Sequence, residues 1–95
     1  MLVQSIVYTF APEDADKAET MLRELRDLSR KEEGIVTFEV ARSKDKSNVF
    51  LLWEEYKDQS AIDSHLATEH FKRLGINGIR VLAKQRVAEI AIPLT

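Results

Sequence analysis

The sequence predicts an α+β fold in which four strands and two helices follow one another in the order βαββαβ. Short runs rich in β-branched and aromatic residues, at 2–10, 35–42, 49–56 and 86–94, are typical of strands. An apolar stripe with helical spacing follows the first run, and a second helical segment separates the third run from the fourth. This order is that of the ferredoxin-like, or split βαβ, arrangement, an antiparallel sheet with both helices on one face.

Length and composition limit the functional classes. The chain has 95 residues, 44% of them hydrophobic and 32% charged, which predicts a single globular domain over residues 1–95. A net charge of −2 argues against nucleic-acid binding, which usually needs a basic surface. The absence of cysteine excludes disulfides, thiolate nucleophiles and cysteine-ligated metals. No apolar run reaches the roughly 18 residues of a membrane span, and no signal-peptide pattern is present, so we expect a cytoplasmic protein without membrane contacts.

The first helix follows the first strand closely. Pro12 is tolerated near a helix start, and Glu13 and Asp14 favour the positive end of the helix dipole. Gly34 is a good terminator. The residues between them form one apolar stripe at spacings of three and four: Ala15, Ala18, Met21, Leu22, Leu25 and Leu28.

The second helix has less regular signals. Ser60 can cap it, and we expect three of its apolar side chains to face inward: Ile62, Leu66 and Phe71. Thr68, Glu69 and His70 have the pattern of a second helical start. Residues 75–84 contain two glycines and predict a broken or continued helix, and Pro93 marks the end or an exposed edge of the last strand.

The third strand, VFLLWEEY at 49–56, lacks the alternation of a sheet with one wet face. Successive side chains point to opposite faces, so Phe50, Leu52, Glu54 and Tyr56 would face the helices while Trp53 points away. Residues 88–94 are nearly as apolar. Because the helices cover only one face, we expect a homodimer whose two sheets pack face to face.

Several short motifs carry a resemblance to a known family. In chain order they are Glu32-Glu33-Gly34, Glu54-Glu55-Tyr56, His65-Leu66 and His70-Phe71. With them the chain resembles the antibiotic-biosynthesis-monooxygenase family over about residues 2–93. The resemblance implies a ferredoxin-like protomer that closes into a dimeric α/β barrel, with a pocket between the sheet and the helices of each protomer. Members of the family include cofactor-free oxygenases of quinols and polyketide anthrones, haem-degrading enzymes and an isomerase of an autoinducer phosphate.

The motifs favour some branches of this family over others. The quinol-oxygenase and autoinducer-isomerase branches share both histidine motifs. Anthrone oxygenases carry an Asn at the position of Leu52. Haem-degrading members use a helix histidine about where Gly75 stands and a Trp about where His65 stands, so the resemblance does not extend to haem chemistry.

The histidines are the first candidate site residues. On a regular helix, five residues separate His65 and His70 by about 140°, so the spacing predicts that they cannot chelate one metal ion. We therefore expect neither a metal nor another cofactor. A neutral imidazole at His65 would suit proton transfer near neutrality, whereas the simpler alternative is a half-buried helix residue bonded to a carbonyl or to Tyr56.

The carboxylates are the second candidates. Glu54 and Glu55 are adjacent in a strand and face opposite ways, so they are not an acid/base dyad. Glu54 is either one half of an ion pair or a buried carboxylate with a raised pKa that serves in catalysis.

The leading hypothesis is a cofactor-independent monooxygenase that oxidises a quinol-like or polyphenolic ring with O2. His65 would be the base, Tyr56 and His70 would hold substrate oxygens, and Glu54 would be a further catalytic carboxylate. The apolar walls would be Phe38, Phe50, Leu52 and Phe71.

Two alternatives stay open. The first is an isomerase of a small oxygenated metabolite such as an autoinducer. A phosphorylated substrate would need a cationic rim, for which the candidates are Arg42, Lys72, Arg73 and Arg80. The second is a dimeric ligand-binding module without catalysis.

Overall fold

The sheet has the predicted ferredoxin-like topology in a computed structural model that describes residues 1–94. Its antiparallel strands are β1 (Leu2–Phe10), β2 (Ile35–Arg42), β3 (Val49–Tyr56) and β4 (Ala83–Ala91), in the spatial order β2-β3-β1-β4. The α+β class is therefore confirmed. Of the predicted domain at 1–95, Thr95 lies outside the described residues.

The helices form one layer on the sheet. A 3₁₀ turn at Pro12–Asp14 leads into α1 (Ala15–Ser29), and α2 spans Gln59–Leu66. A π helix at Phe71–Ile79 continues as one further α-turn, α3 (Arg80–Leu82). The predicted stripe of α1 packs inward, because Ala15, Ala18, Leu22 and Leu25 are all buried.

The start and end of α2 differ from the predictions. The Asp58 carboxylate accepts the backbone N–H of Ala61 at 2.9 Å, so Asp58 caps the helix rather than Ser60. Asp is as good a cap as Ser, and it lies two residues closer to the strand. Leu66 was expected to face inward but is 45% exposed at the last position of α2.

The segment 75–84 is a continued helix of unusual width. The backbone N–H of Arg80 donates to the carbonyl of Gly75, a bond over five residues that defines a π turn. The glycines let neighbours approach closely: a Cβ on Gly75 would lie 3.1 Å from the Phe71 ring, and one on Gly78 would lie 2.7 Å from Met21 Sδ. π turns are frequent at functional sites.

The two faces of the sheet differ as the strand phase predicts. Phe50, Leu52, Glu54 and Tyr56 are buried beneath the helices, whereas Trp53 is 49% exposed on the other face. The last strand begins at residue 83 rather than 86 and ends at 91 rather than 94, and it is exposed along almost its whole length. Within residues 1–94, no helix has the length and apolar character needed to cross a membrane.

Candidate functional site

A small cavity lies between the sheet and the helical layer. Its volume is about 40 Å³, enough for a few water molecules and well below the roughly 300 Å³ of a typical ligand pocket. Apolar lining comes from both layers, with Phe38 and Leu52 on strands and Phe71 on the π helix. The polar lining residues are Gln4, Tyr8, Glu54, His65, Arg80 and Arg86.

Glu32 holds both histidines beside this cavity. Its Oε2 atom lies 2.9 Å from Nδ1 of His65 and 2.7 Å from Nε2 of His70. The three side chains are well covered, with exposed fractions of 15% for Glu32, 3% for His65 and 17% for His70. One carboxylate oxygen thus binds two imidazoles that approach it from different helical segments.

This convergence contradicts the predicted divergence of the histidines, which assumed a regular helix. The helix α2 ends at Leu66, and the Thr68 hydroxyl donates to the His65 carbonyl at 2.7 Å. The same hydroxyl accepts the backbone N–H of Phe71 at 3.1 Å, as a cap of the next helical segment does. His70 therefore belongs to a new helical start, and the 140° rule does not apply to the pair.

The contact with Glu32 fixes the tautomer of His65. An ionised carboxylate only accepts hydrogen bonds, so Nδ1 of His65 carries the proton and donates it to Glu32. Within the described residues, Nε2 of His65 has no hydrogen-bond partner, and its ring lines the cavity. Burial lowers the pKa of His65, and the Glu32 hydrogen bond opposes this only in part. The residue is thus a neutral imidazole with a free lone pair at neutral pH.

Glu54 is a buried carboxyl group on the sheet side of the cavity. It is 3% exposed, and burial raises its pKa from 4.5 to about 7, although the Tyr56 hydroxyl, Arg86 and Arg80 all favour the ionised form. The Tyr56 hydroxyl donates to Glu54 Oε1 at 2.5 Å. Burial and the neighbouring Glu54 raise the pKa of Tyr56, so its hydroxyl stays protonated. Glu54 can therefore exchange a proton near neutral pH.

Two arginines give the cavity a cationic side. Arg86 donates from Nε to the Tyr8 hydroxyl at 3.2 Å, and its guanidinium lies 5.9 Å from the centre of that ring. The guanidinium of Arg80 lies 5.4 Å from the centre of the Phe71 ring. Both residues line the cavity, so an anion formed there would be close to two positive charges.

The predicted site residues divide into two groups. Five line the cavity: Phe38, Leu52, Glu54, His65 and Phe71. Three do not, because their contacts lie elsewhere: Tyr56 donates to Glu54, His70 binds Glu32, and Phe50 packs edge-on against Phe10. The expected roles of Tyr56 and His70 as direct holders of substrate oxygens, and of Phe50 as a wall, are not supported by this geometry.

Sequence reasoning missed Glu32, Gln4, Tyr8 and Arg86. Glu32 lies in a motif of the resemblance, but no spacing rule connects it with His65, because 33 residues separate them. The strand register offers a signal for the others. Tyr8 pairs with Arg86 across β1 and β4, and Gln4 pairs with Glu54 across β1 and β3.

Within the described residues, the candidate metal ligands are the three side chains that meet beside the cavity: Glu32, His65 and His70. Nδ1 of His65, Nε2 of His70 and a Glu32 carboxylate oxygen all lie within 4.8 Å of one another. On its other side, Glu32 lines an open surface groove of about 410 Å³, together with Glu33, Lys57, Asp58, Ser64 and Thr68.

Comparisons with known proteins agree with this architecture. Residues 1–74 match the family model described as antibiotic biosynthesis monooxygenase. A solved structure described as an antibiotic biosynthesis monooxygenase is 27% identical, with a TM-score of 0.92 and full coverage of both chains. A Pseudomonas aeruginosa protein is 29% identical, with a TM-score of 0.91 and coverage of 99% of this chain and 94% of that one.

A third structure shows the fold alone. A Mycobacterium tuberculosis protein is 20% identical, with a TM-score of 0.88 over 100% of this chain and 97% of its own. No curated protein matches the sequence. The family model covers most of the chain, including Glu32, Glu54, His65 and His70. The chain therefore belongs to the antibiotic biosynthesis monooxygenase family.

Proposed function

We propose that the protein is a cofactor-independent monooxygenase that oxidises a quinol-like or polyphenolic ring with O2. The observation that carries this proposal is the orientation of His65. Its Nδ1–H is held by Glu32, and its free Nε2 belongs to a ring that lines a cavity with two arginines. A neutral base beside cationic groups is the arrangement that removes a proton and stabilises the resulting anion.

The chemistry begins with proton transfer from the substrate to Nε2 of His65. Arg80 and Arg86 stabilise the electron-rich ring anion. The anion gives one electron to O2, and the ring radical and superoxide combine to form a C–O bond. The resulting peroxide takes the proton back from His65. Loss of water then leaves a carbonyl group on this ring carbon, which is a CH2 group in the keto tautomer of the substrate. The oxidation of this carbon from CH2 to C=O supplies all four electrons that reduce O2.

Substrate binding requires the cavity to widen. A single aromatic ring does not fit into about 40 Å³, so part of the wall must move outward. The helical side is where this is easiest, because Leu66 is 45% exposed at the end of α2 and Phe71 begins the π helix. Packing of the sheet side is continuous with the core and resists such movement.

Oxygen uptake with menadiol under air tests the proposal, with the uncatalysed rate subtracted. We expect His65→Gln to lower the catalysed rate by about 100-fold, since general bases contribute about 10²–10⁴-fold. His70→Gln is the matched control, because it makes the same change in a histidine that does not line the cavity, and we expect less than about a tenfold loss. A wild-type rate equal to the uncatalysed rate would overturn the proposal.

A second candidate function is an isomerase of a small anionic metabolite. The observation that favours it is the pair Arg80 and Arg86, which could bind a phosphate or carboxylate as readily as a phenolate. Thermal-shift measurements separate the two candidates. Stabilisation by sugar phosphates and not by quinones would favour the isomerase.

The small cavity favours the third candidate, a ligand-binding module without catalysis. A cavity of about 40 Å³ is too small for a bicyclic ring, so a protein without catalysis does not require the cavity to widen around a large substrate. Thermal stabilisation by quinones without menadiol oxidation would select this candidate.

We also propose that the active form is a homodimer built on the outer face of the sheet. This face exposes Leu51, Trp53 and Val87 at 47%, 49% and 57%, and β4 is uncovered along its length. A second copy is the simplest cover for so large an apolar face. Light scattering should give twice the protomer mass, and Trp53→Lys should give the monomer. The control Val81→Lys, on α3, should leave the dimer intact.

A further inference from the structure

We propose that Glu32, His65 and His70 form a binding site for a first-row divalent transition-metal ion, with Zn²⁺ the best match to two imidazoles and one carboxylate. This site lies beside the cavity and uses Nδ1 of His65 and Nε2 of His70, whereas the proposed oxidation takes the substrate proton on Nε2 of His65. Three protein ligands with one open position are typical of zinc sites that also bind water.

The geometry of the three side chains is close to that of a bound metal. Their ligand atoms lie within 4.8 Å of one another, and Oε2 of Glu32 is 2.9 Å from His65 and 2.7 Å from His70. With metal–ligand bonds of about 2.0–2.1 Å at tetrahedral angles, neighbouring ligand atoms lie about 3.3 Å apart. Each contact to Glu32 must therefore lengthen by about half an ångström, and the two histidine nitrogens, which lie within 4.8 Å of each other, must also reach about 3.3 Å.

The site has a route to solvent that does not pass through the cavity. Glu32 lines the open groove of about 410 Å³, where Glu33 and Asp58 place two further carboxylates against the single cation Lys57. The resulting excess of negative charge in the groove attracts a divalent cation. The groove also has room for a water molecule as the fourth ligand.

A metal at this site changes the proton position on His65. When Nδ1 binds the ion, the imidazole proton must be on Nε2, so the lone pair that faces the cavity is lost. If the proposed function is correct, the ion inhibits the oxidation. This consequence rests on the proposed function, whereas the metal site itself does not.

Calorimetric titration of the EDTA-treated protein with ZnCl2 tests the site directly. We expect one ion per protomer for the wild type. Glu32→Gln keeps the shape of the side chain and removes the charged ligand, so we expect at least an approximately tenfold loss of affinity. Glu33→Gln is the matched control, since it removes the same charge from the neighbouring exposed position, and we expect an affinity within about threefold of wild type.

Further readouts separate the site from the proposed activity. His70→Gln, whose side chain is partly exposed, should also lose affinity, and circular dichroism identifies any variant that does not fold. The visible spectrum of added Co²⁺ should be that of a tetrahedral site in the wild type. This spectrum should be lost in Glu32→Gln and in His70→Gln. Zinc binding without menadiol oxidation would leave the metal site standing and would remove only the proposed function. Wild-type affinity equal to that of Glu32→Gln and His70→Gln would overturn the site.

Discussion

Replacement of Glu54 with glutamine should stabilise the protein at high pH and leave it unchanged at low pH. The pKa of Glu54 is raised by burial from 4.5 to about 7 in the folded protein. Below the lower value, both the folded and unfolded states hold the proton. As the pH rises towards 7, the unfolded state releases its proton first, so the free energy of unfolding falls and the loss is complete above the folded pKa.

The size of this effect follows from the two pKa values. At about 1.4 kcal/mol for each pH unit, a rise from 4.5 to about 7 makes ionised Glu54 cost about 3 kcal/mol. Glutamine removes this cost, and its amide oxygen still accepts the Tyr56 hydroxyl, which donates to Glu54 at 2.5 Å. The buried position, with 3% exposure, leaves little screening by solvent.

Urea unfolding at a fixed protein concentration measures the difference between wild type and Glu54→Gln. We expect the variant to be more stable by about 3 kcal/mol at about pH 8.5, and equal to wild type within about 0.5 kcal/mol at about pH 4. Glu55→Gln, which removes the same charge from the opposite face of the same strand, is the matched control, and its gain in stability at about pH 8.5 should be smaller than that of Glu54→Gln. A difference that is the same at both pH values would refute the reasoning.

Four further substitutions test the packing and the helix cap around the site by urea unfolding. Gly34→Ala should cost about 1–3 kcal/mol, because the new Cβ would overlap Cβ of Ala61, and an unchanged stability would contradict this contact. Ser29→Ala should be neutral or stabilising by up to about 1 kcal/mol, because its buried hydroxyl has no partner within residues 1–94; a clear loss would show that it has one. Asp58→Ala should cost about 1 kcal/mol through loss of the cap, whereas Ser60→Ala should cost less than about 0.5 kcal/mol, and the reverse order would restore Ser60 as the cap.

The strands could be predicted from the sequence because their signal is local. In β3, side chains alternate between faces, so one choice of phase determined the burial of Phe50, Leu52, Glu54 and Tyr56 together. The bounds of β1, β2 and β3 agree with the predicted ranges for the same reason. The start of β4 was predicted three residues too late, since the π helix before it ends through a backbone bond that no sequence pattern encodes.

The site could be predicted only in part because it depends on contacts between distant segments. Strand parity placed Glu54 on the side of β3 that faces the helices, and the histidine motifs pointed to His65 on the second helix. The role of Glu32 depends on contacts with His65 and His70, which follow it in the chain by 33 and 38 positions. The convergence of His70 with His65 requires the helix to break at Thr68, whose hydroxyl bonds both helical segments. A calculation of angles along one regular helix therefore gave the wrong answer.

The central claim is that Glu32 orients His65 as a neutral base towards the cavity. Nitrogen NMR of the imidazole rings, on metal-free protein near neutral pH, tests it most directly. We predict that His65 is neutral, with its proton on Nδ1 and an unprotonated Nε2, and that Glu32→Gln alters this spectrum while Glu33→Gln does not. A proton on Nε2 of His65, or a doubly protonated ring, would contradict the account.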